Sequence, residues 1–326
     1  MKKKLFVSLT ALAGLFILLL FTNLVRIPFY VSKAETKATL LAAADSLERF
    51  YILPEVGKKM ANALREGLSN EKFTTHDPEE LGKQVNSLLQ NICNDKHFQF
   101  FFMSKLANDL RQPGRKRFNS FFHRLDSLND FFIMPVKKIK GSIGYLRLDQ
   151  LIDPKLSGER LEKSFDSLKG SKAIIIDLRN NGGGEPEMVQ RVISHFYKAD
   201  TLVHINDIYS RRTNSISEYW TLPEMKGVRM PEVPLFILTS KNTASAAEEL
   251  AYDLQKLHRA TVIGEITSGG AHPGDLTPVG ERFVMFLSDR NAINPYSKSN
   301  WEGKGVIPDI KTDADKALET AVQLAN

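Results

Sequence analysis

Two short stretches of this chain carry residue types suited to acyl transfer. In Thr243-Ala244-Ser245-Ala246-Ala247-Glu248 a serine sits among small residues, where the apolar run Pro234 to Thr239 gives way to a helical pattern from Ala244 to Leu257. In Asp177-Leu178-Arg179-Asn180-Asn181-Gly182-Gly183-Gly184 the apolar run Lys172 to Leu178 breaks into three glycines before another helical stretch. A nucleophile needs exposure on a sharp turn, and an oxyanion needs bare backbone N–H groups. Both stretches lie at strand-to-helix junctions, where α/β folds gather their ligands. Ser245 is the candidate nucleophile, and the helix it opens presents a positive dipole end. Its bland reading is a helix N-cap, a position serine favours anyway. The glycines have their own, a flexible helix entry. Asp177 and Arg179 read as scaffold that fixes the glycine loop.

A serine nucleophile needs a base. Of seven histidines, His272 follows Ser268-Gly269-Gly270-Ala271, just past the strand-like stretch ending at Gly264-Glu265. That places it on a loop at the same sheet edge as Ser245. The other six, His97 among them, fall in the N-terminal unit, in helical or extended patterns, or on turns, and read as structural or solvated. Glu302, in Asn300-Trp301-Glu302-Gly303, is the candidate to orient His272, with Trp301 shielding it from water. No His-Glu-x-x-His or Cys/His cluster is present, so neither metal nor cofactor is expected. Cys93, the single cysteine, reads as a buried inert thiol and rules out an intrachain disulfide.

The elements that must position these residues follow from periodicity. Strand-like and helix-like stretches alternate from about Asn129 onward, which implies an α/β class with a largely parallel sheet. Strands are expected over 133–139, 143–148, 173–178, 202–208, 234–239, 261–264, 279–287 and 306–310. Helices are expected over 161–168, 186–197, 244–257 and 314–324. Residues 131–326 form the catalytic domain in this reading, and 104–130 an irregular basic linker. Residues 35–103 form a small helical N-terminal domain that ends in a short strand, Phe98 to Met103. Residues 1–34 stand apart: Lys2-Lys3-Lys4 precedes an uncharged run from Leu5 to Val25, long enough to span a bilayer at about 1.5 Å per residue. The lysines favour a cytoplasmic N-terminus and an extracytoplasmic body. The segment is a membrane anchor, or a signal peptide cleaved near Ser32-Lys33-Ala34 with release to the periplasm. Five of the six net positive charges lie in it. The remainder, near +1, gives no basis for nucleic-acid binding.

Taken as a set, these residues resemble the C-terminal-processing (tail-specific) serine peptidases. The resemblance rests on the two stretches above, on Arg259-Ala260-Thr261-Val262-Ile263-Gly264-Glu265-Ile266-Thr267, and on Gly305-Val306-Ile307-Pro308-Asp309-Ile310. Residues 35–103 are similar to the N-terminal domain of the branch related to the interphotoreceptor retinoid-binding protein. The resemblance implies a crotonase-like, βαβ-rich core and a peptide or protein substrate. It implies Ser245 as nucleophile, with the N–H groups of Ala246 and of Gly183 or Gly184 lining the oxyanion hole. The chain departs from the family in three ways. The lysine of the processing branch's Ser–Lys dyad falls at Gly270. The histidine that the tricorn-type branch takes from an early strand falls at Arg147, although that branch's glutamate matches Glu302. The stretch 104–140 is too short for a PDZ-type module. Two other function classes follow from the same scaffold: a catalytically silent carrier of apolar ligands, and an envelope protein that holds partners through its helical N-terminal unit. Nothing in the sequence specifies the cleavage preference or the oligomeric state.

Overall fold

The computed structural model describes residues 30–112 and 130–326. It opens with three helices, α1 (Lys33–Phe50), α2 (Pro54–Ser69) and α3 (Pro78–Cys93). Their starts follow from local chemistry. Ser32 accepts from the Glu35 N–H at 3.1 Å. Asp77 accepts from Glu79 and Glu80 at 2.8 and 3.1 Å, and Pro54 and Pro78 occupy first-turn positions where no N–H is needed. The helices bury Leu40, Leu47, Leu64, Leu81 and Leu89 against Phe98, Phe100, Phe283 and Met285. Phe100, Phe283 and Met285 belong to a sheet that joins strand β1 (Gln99–Phe102) with two strands from far along the chain. The N-terminal helices are therefore packed onto the C-terminal part of the molecule rather than tethered to it.

Helix α4 (Ser104–Arg111) occupies the start of the stretch read as an irregular linker. It buries only Leu106 and Ala107, against Val284, which leaves little periodicity to detect. Residues 113–129 of that linker and the Leu5–Val25 run lie outside the described residues. Among the described residues no helix is long and apolar enough to cross a membrane.

The chain then alternates as β2 (Lys137–Ile139), β3 (Ile143–Arg147), α5 (Pro154–Leu168), β4 (Ala173–Asp177), α6 (Pro186–Ser194), β5 (His204–Ser210), β6 (Ser215–Trp220), β7 (Leu235–Thr239), α7 (Ala246–Lys256) and β8 (Thr261–Gly264). It closes with β9 (Gly274–Val279), β10 (Phe283–Ser288), β11 (Arg290–Ile293), β12 (Ile310–Lys311) and α8 (Ala317–Leu324). The central sheet has the order β12-β8-β7-β4-β3-β2, parallel except for β2. Alternate residues of β4 and β7 serve two cores. Ile174, Ile176, Leu235 and Ile237 face α5, α6 and α7, whereas Ile175, Phe236 and Leu238 face α8. Burial on both faces is why these strands read as continuous apolar runs.

Two differences from the sequence reading have physical causes. The stretch 279–287 is not one strand but the hairpin β9–β10, turned at Gly280 with φ +56°. Residues 215–220, with no strand expected, form β6, an exposed edge strand on β5 with no buried face to produce alternation.

Candidate active site

Strands β4, β7 and β8 are parallel neighbours, so the segments leaving their C-terminal ends emerge at one sheet edge. From β7 comes Ser245, immediately before α7, with φ +56° and ψ −127°. A non-glycine residue in that region costs about 1–3 kcal/mol and persists only where its surroundings impose it. Here they do. Ala244 N–H donates to the Asn181 carbonyl at 3.0 Å, the Thr243 hydroxyl to the Leu178 carbonyl at 2.9 Å, and Ser245 N–H to Glu248 Oε2 at 2.8 Å. A serine on such a sharp strand-to-helix turn has the backbone of a nucleophile elbow.

From β4 comes the glycine loop. Arg179 grips the Asp177 carboxylate at 2.9 and 2.6 Å and reaches the Ala314 carbonyl at 2.5 Å. Tyr145 donates to the same carboxylate at 2.6 Å. Burial acts to raise the Asp177 pKa, but Arg179 and Tyr145 outweigh it and hold it low. Both residues act as the expected scaffold. The loop then passes directly under the serine. A Cβ added to Gly183 would lie 2.7 Å from the Ser245 Cβ, and one added to Gly184 would lie 1.9 Å from the Leu151 carbonyl oxygen. Their φ values, +115° and +144°, also demand glycine. The Gly183 N–H is already engaged by Asn181 Oδ1 at 2.8 Å. The N–H groups of Gly184 and Ala246, in contrast, donate to no acceptor among the described residues.

From β8 comes the loop through Ser268-Gly269-Gly270-Ala271-His272, which is fixed from several sides. Glu248 Oε1 accepts from the Thr267 hydroxyl at 2.5 Å and the Gly269 N–H at 2.6 Å. Its Oε2, already bonded to Ser245 N–H, also accepts from Gly270 N–H at 2.9 Å. One carboxylate thus ties the nucleophile's backbone to this loop. Burial, opposed by these donors, leaves the Glu248 pKa raised. Trp301 Nε1 donates to the Gly270 carbonyl at 2.8 Å, Glu302 Oε2 accepts from Ala271 N–H at 2.5 Å, and the Lys96 ammonium reaches the Ser268 carbonyl.

Two imidazoles border the loop. His272 Nδ1 stands 3.7 Å from Glu302 Oε2. Burial lowers the His272 pKa, and the Glu302 charge only partly offsets that. The second, His97, arrives from the N-terminal unit. A Cβ on Gly270 would lie 2.5 Å from His97 Cε1, so the ring fills the space that any side chain at position 270 would claim. It stacks on Phe286 with centroids 5.6 Å apart. Burial acts to lower its pKa as well, but Asp95, Glu302 and Glu248 together raise it. Its side chain is 19% exposed, against 8% for His272. The sequence signals for His97 were slight: Asp95-x-His97 between a helix end and a strand, and a glycine at 270. Among the described residues no group of three or more histidines, cysteines or carboxylates is arranged to hold a metal ion.

Comparison with known proteins places the chain in a family and a fold. The sequence pattern of Peptidase family S41 matches residues 142–312. The carboxy-terminal-processing protease of Bartonella bacilliformis is 28% identical over 179 residues, 53% of this chain and 39% of that protein. The carboxy-terminal processing protease CtpB of Bacillus subtilis is 26% identical over 259 residues, 77% of this chain and 50% of that protein. This chain therefore spans half or less of the length of these relatives. The solved structure of the photosystem II D1 C-terminal processing protease shares the fold, with a TM-score of 0.58 at 17% identity, over 87% of this chain and 94% of that one.

Proposed function

The chain belongs to Peptidase family S41, and we propose from that premise that it is a serine peptidase of the tail-processing kind, with Ser245 as nucleophile and His97 as general base. Ser245 Oγ attacks the scissile carbonyl and His97 takes its proton. The negative charge that develops on the carbonyl oxygen faces the N–H groups of Ala246 and Gly184, with Gly183 permitting the close approach. One such donor is typically worth about 3 kcal/mol of barrier. The imidazolium then protonates the leaving amine, and water, deprotonated by the same ring, releases the acyl group. Glu302, pinned by Ala271 N–H, stabilises the positive charge on the ring. The observation that carries this reading is the left-handed Ser245 turn pressed against Gly183. The uncharged run behind Lys2-Lys3-Lys4 supports an extracytoplasmic setting, by anchor or by export.

A second assignment keeps the nucleophile and makes His272 the base, supported by its 3.7 Å approach to Glu302. His97 is favoured because its ring borders Gly270, whose amide shares an oxygen of Glu248 with Ser245. A raised pKa also suits the imidazolium that forms. Steady-state hydrolysis of a peptide substrate decides between them. His97→Ala is expected to lower kcat about 100-fold or more, and His272→Ala much less. The reverse pattern makes His272 the base. A wild-type rate in both variants removes imidazole catalysis.

A further inference from the structure

We propose that Asp95 is a positioning residue that aims His97 at the Gly270 loop, and that the helical N-terminal unit is thereby a working part of the catalytic centre. This rests on His97 acting as the base. Asp95 follows Asn94, the cap of α3, and is 3% exposed. Every oxygen of its carboxylate is engaged. Oδ1 accepts from His97 N–H at 2.8 Å and stands 3.7 Å from His97 Nδ1. Oδ2 accepts from the Ser288 hydroxyl at 2.6 Å and from the Tyr51 hydroxyl at 3.1 Å. Tyr51 ends α1 and Ser288 ends β10, so three elements converge on one buried carboxylate. Burial acts to raise the Asp95 pKa, but the His97 ring, the Ser288 hydroxyl and the His97 N–H outweigh it and hold it at about 2, so it is ionised wherever a histidine titrates.

The consequence for His97 is both steric and electrostatic. Its backbone is held by Asp95, its ring is stacked on Phe286, and its Nδ1 is buried with no hydrogen-bond partner among the described residues. Nδ1 stands 3.7 Å from Asp95 Oδ1, and a proton arriving on the ring favours closing that gap. The other ionisable groups that bear on the site are Glu248 from α7, Glu302 and His272 from the loops, and Lys96, Cys93 and Tyr51 from the N-terminal unit. Glu248 and Glu302 raise the pKa of His97 together with Asp95.

Asp95→Asn tests this, because it keeps the shape and removes the charge. The readout is the pH profile of kcat/KM. With the negative charge gone, the pKa of His97 falls, so the acidic limb moves to lower pH, and kcat drops on the order of 10-fold. An acidic limb that stays in place, even with a lower melting temperature, makes Asp95 structural only and overturns the inference. His97→Ala in parallel separates the two levels. If it is inactive while the Asp95→Asn limb is unmoved, the positioning role fails and the base assignment stands. If His97→Ala retains full activity, both fail. Should Asp95→Asn not fold, Ser288→Ala removes one anchor from the carboxylate and leaves the charge. It is expected to lower kcat with KM unchanged, and an unchanged kcat overturns the inference.

Discussion

At the scale of single residues, the arrangement depends on Glu248. Its two oxygens serve four donors, from Ser245, Thr267, Gly269 and Gly270. In Glu248→Gln an amide NH2 would face two of those donors, leaving buried N–H groups unmatched at a cost of about 3 kcal/mol. Lower stability in urea and a loss of peptide hydrolysis are expected together. Wild-type stability would show that the tie is not needed. Ser245 was legible as a candidate because small residues at a strand-to-helix junction are a local pattern. Glu248 was in view in the same motif, but its role depends on a loop that folds back from beyond β8. His97 was harder still. Only the pairing of β1 with β10 brings it to Gly270, and no local periodicity encodes that contact.

At the scale of elements, the three loops must approach at backbone distance, and glycine is what permits it. Gly270 has an ordinary backbone, so Gly270→Ala tests sterics alone. Its methyl would sit 2.5 Å from the His97 ring and push the imidazole off the loop. A fall in kcat of about 10-fold or more is expected, with the circular dichroism spectrum retained. An unaffected kcat would mean that the position of the ring does not matter to the reaction. The parallel strands β4 and β7 were legible, since burial on both faces leaves unbroken apolar runs. The hairpin β9–β10 and the edge strand β6 were not. The first has a turn of only three residues, Gly280-Glu281-Arg282, between two strands read as one, and the second has no buried face.

At the scale of the whole molecule, β1 of the N-terminal unit pairs with β10, a strand of the C-terminal part of the chain, so acid should unfold the two parts together. His195 is a probe of this. It stacks on Phe165 at 3.8 Å and bonds the Val228 carbonyl at 2.7 Å, and burial pushes its pKa down from 6.5 to about 4. It is neutral when folded, while the unfolded chain takes up a proton below pH 6.5. Its contribution is therefore full above pH 6.5 and is lost as pH falls toward 4, by about 3 kcal/mol in all. Urea denaturation at pH 7 and pH 5 should show about 2 kcal/mol of that loss in one cooperative transition, reduced in His195→Leu. Equal stability at the two pH values would contradict the burial argument. The α/β class and the sheet edge carrying the site were legible from alternation and junctions. That the N-terminal unit pairs its strand with β10 was not, because it depends on strands far apart in the sequence.

The central claim is that the hydroxyl of Ser245 is an activated nucleophile. Incubation of the protein with a serine-reactive fluorophosphonate, followed by peptide mapping, tests it most directly. The expected result is a single adduct on Ser245, absent from a folded Ser245→Ala variant. Equal labelling of that variant, or an adduct on another serine, would contradict the account.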